Sequence, residues 1–130
     1  MSKLIYLASP YSHEDGAVRT ERFAFACETA AAMMRQGLMV YSPIAHTHCI
    51  AEWGELPKGY EFWREFDERM IAACDELWVL MLSGWEKSDG VRREVDYARG
   101  IGRSVLLLME PLTLKTIVYQ DPFVQRVLGL

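Results

Sequence analysis

The sequence has few cysteines, no excess of positive charge and no long apolar run. Its three cysteines, Cys27, Cys49 and Cys74, are odd in number and show no C-x-x-C spacing. This number and spacing of cysteines are typical of reduced thiols, so we expect a cytoplasmic protein and not a secreted domain stabilised by disulfide bonds. The formal net charge is −4, whereas nucleic-acid backbones require a basic face, so no nucleic-acid polymer is expected as a partner.

Several common signatures are missing as well. Neither a G-x-G-x-x-G fingerprint nor a Walker A sequence with its lysine occurs in the chain, which disfavours a dinucleotide-dependent enzyme and an ATPase. No apolar stretch approaches the roughly 20 residues that span a bilayer, and no signal peptide is visible, so no membrane association is expected. With 130 residues, the chain has room for one domain, which we place over residues 1–130.

What the chain does contain is an alternation of short apolar runs and longer helical patterns. The predicted strands are Lys3 to Ala8, Leu38 to Tyr41, Leu77 to Leu82 and Ser104 to Met109. The predicted helices are about Glu14 to Gln36, Tyr60 to Cys74 and Asp89 to Ile101, with Gly37 and Gly102 as stops.

Two stretches are less regular. Ile44 to Gly59 is predicted to be a long loop that holds at most a short helix, and loops of this length are often functional. After Pro111 the pattern weakens: Thr113 to Tyr119 is compatible with a strand or a helix, and Pro122 to Leu128 with a terminal helical turn or two.

Strands that alternate with helices indicate βαβ units, and hence an α/β protein with a mostly parallel sheet and helices on both faces. In such sheets, ligands bind beyond the carboxyl ends of the strands. Here those ends are followed by Ser9-Pro10-Tyr11, Ser42-Pro43-Ile44 and Ser83-Gly84-Trp85. The candidate site is therefore expected at this edge of the sheet.

Glu94 is the most unusual residue of the predicted helix from Asp89 to Ile101. It lies three residues after Val91 and four before Ala98, on or beside the apolar face of the helix. A carboxylate in that position costs free energy unless it is paired, protonated or used. Glu94 is therefore either a nucleophile or base at the edge of the sheet, or a structural partner of Arg99 or another cation.

Asp67 and Tyr6 are the next candidates. Asp67 lies four residues after Trp63, at the edge of an aromatic stripe, so it is either a second carboxylate of the site or a surface partner of Arg64 or Arg69. Tyr6 lies inside the first strand. Its hydroxyl either sits at the rim of the core or orients a carboxylate.

Other residues have the chemistry of a binding pocket. Ser88-Asp89-Gly90 opens a helix after a strand, where free N–H groups suit an anion or a hydroxyl-rich ligand. His46 and His48, with His13, are conceivable metal ligands, but their spacing matches no common zinc pattern, and loop histidines more often line a pocket. Trp53 beside them is either a core residue or a surface for stacking on a planar base.

At these residues the sequence resembles the nucleoside 2-deoxyribosyltransferase superfamily, and most closely an uncharacterised bacterial branch of it, the DUF1937 proteins. The resemblance covers roughly Lys3 to Met109. It rests on the strand Ile5-Tyr6-Leu7-Ala8-Ser9, on the spacing from Asp67 to Asp75, and on Ser88-Asp89-Gly90 followed by Glu94. The order and spacing of these motifs carry the likeness, because each motif alone is short.

The resemblance implies a flavodoxin-like (Rossmann-like), doubly wound sheet of four or five mostly parallel strands. It also implies an enzyme of nucleotide metabolism, a glycosidase or a transferase, that cleaves or transfers the N-glycosidic bond of a 2′-deoxynucleoside or related N-riboside without a cofactor or a metal. Glu94 would attack the anomeric carbon, Tyr6 would orient it, and Asp67 would bind sugar hydroxyls. The substrate-binding residues would be Ser9, Ser88, Gly90, His46 and Trp53.

Three alternatives stay open at this stage. Nucleotide-hydrolysing relatives carry a basic, glycine-rich loop after the first strand, whereas here the first arginine is Arg19, so the substrate is either a nucleoside or a nucleotide. Hydrolysis and transfer are both compatible with the motifs. The rival functions are a non-catalytic nucleoside- or nucleotide-binding module and a metal-dependent hydrolase that uses His46 and His48. The resemblance further implies a homo-oligomer.

Overall fold

The computed structural model describes residues 3–109, which form four strands and four α-helices. The strands are β1 (Leu4–Ala8), β2 (Met39–Tyr41), β3 (Glu76–Leu80) and β4 (Ser104–Leu108). The helices are α1 (Gly16–Arg35), α2 (Pro43–Gly54), α3 (Tyr60–Ala73) and α4 (Asp89–Gly100). A 3₁₀ turn, Trp85–Lys87, precedes α4. The predictions for Thr113 to Tyr119 and Pro122 to Leu128 lie outside the described residues.

The strands form one parallel sheet in the order β2-β1-β3-β4. The chain moves from β1 outward to β2 and then returns to the other side of β1 to place β3. The strand order therefore switches between β1 and β3, and such switch points create a crevice at the carboxyl edge of the sheet. The predicted α/β, doubly wound, flavodoxin-like fold is confirmed.

Each face of the sheet carries its own core. Ile5 and Leu7 of β1 pack on the α1 side with Met33, whereas Tyr6 and Ala8 point to the side covered by α3 and α4. This alternation follows from the two-residue period of a strand. Because Tyr6 faces α3 and α4, its hydroxyl is directed toward the elements that carry Asp67 and Glu94.

The segment predicted as a long loop is the main correction, because residues 43–54 form a helix. Ser42 caps α2, and its hydroxyl accepts a hydrogen bond of 3.1 Å from the Ala45 N–H. Pro43 occupies the first turn, where its fixed φ is favourable. The helix ends at Glu55, which adopts a left-handed conformation with φ of 54°. Only residues 55–59 remain as a loop.

The other predicted boundaries agree with the structure within two residues. Gly37 and Gly102 have φ of 87° and 80°, a conformation that glycine adopts without the steric cost of a side chain, so they end α1 and α4 as predicted. No helix within residues 3–109 combines the length and the apolar character needed to cross a bilayer.

Candidate active site

A cavity of about 670 Å³ opens at the carboxyl edge of the sheet. Its walls come from the segments that follow β1, β2 and β3 and from the first turns of α3 and α4. Ligand pockets in proteins commonly measure 300–1,000 Å³, so this one has room for a drug-sized or nucleoside-sized molecule. Its position is the one expected from the switch in strand order.

Glu94 lies at the base of this cavity and is only 6% exposed. It projects from the apolar face of α4, and the buried Tyr6 hydroxyl donates a hydrogen bond to its Oε2. Glu94 forms no ion pair with Arg99 or with any other cation of residues 3–109. Within residues 3–109, the partner of this carboxyl is therefore a tyrosine and not a cation.

Asp67 reaches the same cavity from α3 and is 8% exposed. Its Oδ1 is buried and has no hydrogen-bond partner among the described residues. The expected surface partner Arg64 instead lies 3.4 Å from Glu68. A buried carboxylate oxygen without a donor costs free energy, which a bound hydroxyl group or water would offset.

Burial dominates the electrostatics of both carboxyls. It raises the pKa of Glu94 to about 8; the Tyr6 hydrogen bond acts in the opposite direction, and the charge of Asp67 adds to the rise. Burial also raises the pKa of Asp67 to about 7. The pKa of Tyr6 lies well above its usual value, chiefly through burial and then through the charge of Glu94. Carboxyls that titrate near neutral pH are typical of functional sites.

Three of the predicted binding residues line the cavity. Ser9 directly follows β1 and is 4% exposed, with an Oγ that has no partner within residues 3–109. Ser88 and Gly90 lie at the start of α4. The Ser88 Oγ accepts a hydrogen bond of 3.2 Å from the Val91 N–H, so its own hydroxyl proton stays available for a ligand.

His46 and Trp53 do not line the cavity, which corrects their predicted placement. His46 stacks on Phe66 with ring centroids 5.2 Å apart and an interplanar angle of 4°. Trp53 is 90% exposed near the end of α2. Both predictions assumed a loop. In a helix, residues seven apart lie on one face, and that face of α2 is exposed.

The three histidines are also separated. His48 is buried, and its Nδ1 shares a hydrogen bond with the Tyr11 hydroxyl, whereas the His13 Nδ1 accepts one from the Asp15 N–H. Nowhere in residues 3–109 do three His, Cys, Asp or Glu side chains lie where they could hold a metal ion together. The described residues therefore give no geometric support to a metal-dependent hydrolase built on His46 and His48.

Several cavity residues were not singled out in the sequence. Tyr11 and Tyr60 are aromatic walls, and Lys58, Lys87 and Arg93 add positive charge. The Arg93 guanidinium lies 2.8 Å from Glu61 and 4.9 Å from the Tyr60 ring centroid. Tyr11 belongs to the segment after β1 that the sequence already placed at the site edge of the sheet, but its residue type alone predicted no role.

The fold and the cavity define an α/β protein with two buried carboxyls at the switch point of its sheet. Residues 3–110 match the family described as a domain of unknown function, DUF1937, and the chain belongs to that family, as the resemblance predicted. No curated protein matches the sequence.

A solved structure of the 2-deoxyribosyltransferase from the psychrotolerant bacterium Bacillus psychrosaccharolyticus is similar to this chain, with a TM-score of 0.53. The two are 23% identical over 82% of this chain and 72% of that chain. That protein is described as a biocatalyst for the synthesis of antiviral and antitumoral nucleosides. At this level of identity the likeness shows a shared fold.

Proposed function

We propose that this protein cleaves or transfers the N-glycosidic bond of a 2′-deoxynucleoside or a related N-riboside, with Glu94 as the nucleophile. The observation that carries the proposal is the buried Glu94 carboxyl, which is hydrogen-bonded to Tyr6 in the same cavity as the unpartnered Asp67. The fold shared with a 2-deoxyribosyltransferase supports the substrate class, although fold alone does not establish an activity.

The proposed reaction begins at the Glu94 oxygen that does not accept the hydrogen bond from Tyr6. Tyr6 donates its hydrogen bond to Oε2, which leaves Oε1 as the oxygen that attacks the anomeric carbon. The C–N bond breaks, its electron pair departs with the base, and a glycosyl ester of Glu94 forms. Water or a second base then attacks the same carbon and releases Glu94, so the configuration is retained overall.

The other residues of the cavity are proposed to bind the sugar and the polar groups of the ligand. The Asp67 Oδ1 is proposed to accept a hydrogen bond from a sugar hydroxyl, because it is buried at the cavity and has no donor within residues 3–109. Ser9, Ser88 and the backbone of Gly90 are proposed to bind polar groups of the ligand. Lys87 and Arg93 line the same cavity, so a 5′-phosphate is compatible with the site and nucleotides belong in the substrate panel.

The test is incubation of the pure protein with deoxynucleosides and their monophosphates, with and without a second free base, followed by chromatography. Free base alone would identify a hydrolase, and an exchanged nucleoside would identify a transferase. Glu94→Gln keeps the shape of the side chain but removes the nucleophile, so we expect a loss of turnover of at least about 1,000-fold.

The matched control is Asp96→Asn, an acid-to-amide change on the exposed side of the same helix, which is expected to leave turnover unchanged. Turnover by Glu94→Gln at the level of the unmodified protein would refute the nucleophile assignment. Binding of a nucleoside without turnover by the unmodified protein would instead identify a binding module. That second candidate is favoured by the burial of Glu94, which raises the pKa of its carboxyl and so favours the protonated form over the nucleophilic carboxylate.

The homo-oligomer, the lack of a cofactor and the cytoplasmic location stay predictions from the sequence. The oligomeric state has a direct check in sedimentation velocity of the same protein preparation.

A further inference from the structure

Tyr11 and His48 form a buried pair beside the cavity that the proposed function does not use. Tyr11 is 6% exposed and lines the cavity, and its hydroxyl shares a hydrogen bond with the Nδ1 of His48. His48 itself does not line the cavity and is 9% exposed. The pair thus connects the cavity wall to an imidazole held inside the protein.

The position of the imidazole is fixed by its neighbours. The ring of His48 stacks on Phe23 of α1 with centroids 4.3 Å apart, and its edge meets the Tyr11 ring. Burial lowers the pKa of His48, while the charge of Glu52 acts the other way and the charges of Lys58 and Arg19 add to the fall. A neutral imidazole can donate a hydrogen bond through Nδ1 or accept one there.

The location of Tyr11 suits a departing base. Tyr11 contacts α2 through His48, whereas the two carboxyls reach the cavity from α3 and α4. In an in-line displacement, the leaving base departs on the side of the anomeric carbon opposite the nucleophile. Tyr11 lies in the segment that follows β1, so its hydroxyl is not on the element that carries the nucleophile.

We propose that Tyr11 donates the proton that the departing nucleobase takes up, and that His48 positions the Tyr11 hydroxyl and stabilises its phenolate. This proposal rests on the proposed function, because it names the general acid of the same reaction. Tyr11 is the catalytic residue of the pair, and His48 is a positioning residue.

The protons balance across both half-reactions. As Glu94 bonds to the anomeric carbon, the C–N electron pair moves to the base, and the base takes the hydroxyl proton of Tyr11. The phenolate that results accepts a hydrogen bond from the Nδ1–H of neutral His48. In the second half-reaction, water attacks the anomeric carbon and gives its proton to the phenolate, while the Glu94 carboxylate leaves.

The surroundings of Tyr11 shift its pKa in ways that are compatible with loss and regain of its hydroxyl proton. Burial raises the pKa of Tyr11, and Glu52 and Cys49 act in the same direction, so the proton is held in the resting state. The charge of Arg19 acts the other way and favours the phenolate when it forms.

The test compares Tyr11→Phe on two substrates with the same sugar. One is a deoxynucleoside that the unmodified protein turns over, and the other carries a leaving group that needs no proton, such as an N7-methylated purine or 4-nitrophenolate. We expect kcat to fall about 100-fold on the nucleoside and by less than about threefold on the activated substrate. Retained activity on the activated substrate also shows that the variant is folded.

Tyr97→Phe is the matched control, because Tyr97 is a half-buried tyrosine of α4 outside the cavity, and it is expected to leave both rates unchanged. His48→Phe keeps a ring beside Phe23 but removes the nitrogen. We expect it to lower kcat on the nucleoside about 10-fold with KM unchanged, and His48→Asn, whose amide can donate in place of Nδ1, to restore part of the loss.

An equal loss on both substrates, or no loss on either, would overturn the role of Tyr11 and leave the proposed function intact. Failure of the unmodified protein to turn over any substrate of either kind would overturn the proposed function, and this proposal with it. Equal activity of His48→Phe and His48→Asn on the nucleoside would show that the nitrogen of His48 has no part in positioning.

Discussion

At the scale of single residues, burial and the hydrogen bond from Tyr6 shift the pKa of Glu94 in opposite directions. Burial favours the protonated carboxyl, whereas the hydrogen bond from Tyr6 favours the carboxylate that a nucleophile requires. The helix pattern singled out Glu94 and Asp67, because a carboxylate on or beside an apolar helix face is unusual, whereas the pairing with Tyr6 was implied only by the family resemblance. The predictions from the sequence misplaced His46 and Trp53, because the direction of a side chain cannot be predicted when its element is assigned as a loop.

Replacement of Tyr6 tests whether its hydrogen bond offsets the rise that burial causes in the pKa of Glu94. Tyr6→Phe removes the hydrogen bond that lowers the pKa of Glu94, so that pKa is expected to rise above about 8. Activity that depends on ionised Glu94 should then require a higher pH. We expect the rising limb of kcat/KM against pH to move upward by about one unit, with a lower rate at pH 7.

Steady-state rates between pH 6 and 10 measure this shift, and the Tyr97→Phe variant provides the control for loss of a tyrosine hydroxyl elsewhere. A rising limb that stays in place in Tyr6→Phe would mean that the hydrogen bond does not control the ionisation of Glu94.

At the scale of elements, α2 is the helix that sequence patterning missed. Its start has a clear local signature, since Ser42 caps it and Pro43 follows. Its end lies close in sequence to Gly54, Pro57 and Gly59, and residues of these types usually mark loops. The strands and the other helices were predictable because their apolar periods are regular, and glycines follow α1 and α4.

The cap gives a test of how much α2 depends on its first turn. Ser42→Ala leaves the Ala45 N–H without its acceptor, so we expect the free energy of unfolding to fall by about 1 kcal/mol. Ser42→Asn supplies another capping oxygen and should lose far less. Urea denaturation measures both variants, and equal stability of the alanine and asparagine variants would contradict the role of the cap.

At the scale of the whole molecule, the alternation of strands and helices was sufficient to predict a parallel α/β sheet. The sequence patterns do not predict the order β2-β1-β3-β4, because pairing between distant segments depends on tertiary contacts and leaves no local pattern. The two raised carboxyl pKa values likewise depend on how several elements pack together. They have a consequence for the stability of the entire fold.

Both Glu94 and Asp67 have pKa values in the folded protein above the ordinary values of 4.5 and 3.8, which the unfolded chain is expected to show. The folded protein therefore holds protons that the unfolded chain releases, and their contribution to stability is lost as pH rises toward 7 and 8. Glu94→Gln replaces this carboxyl with a neutral amide, so the proton of Glu94 no longer contributes to the pH dependence of stability. We expect this variant to be more stable than the unmodified protein by about 3 kcal/mol at pH 7.

The stability difference should grow between pH 5 and pH 8, as measured by urea denaturation at each pH. Asp96→Asn, exposed on the same helix, should show a difference that does not grow over this range. A constant difference for Glu94→Gln would mean that Glu94 is already ionised in the folded protein at pH 5.

Separate segments of the chain contribute different residues to the cavity. The stretch from Ser42 to Gly59 is one continuous connection between β2 and α3; it supplies Pro43, Thr47 and Lys58 to the cavity and holds Tyr11 through His48. The carboxyls come from α3 and α4, outside that stretch. Under the proposed function, changes within this stretch would alter the part of the cavity around Tyr11 and leave the two carboxyls in place.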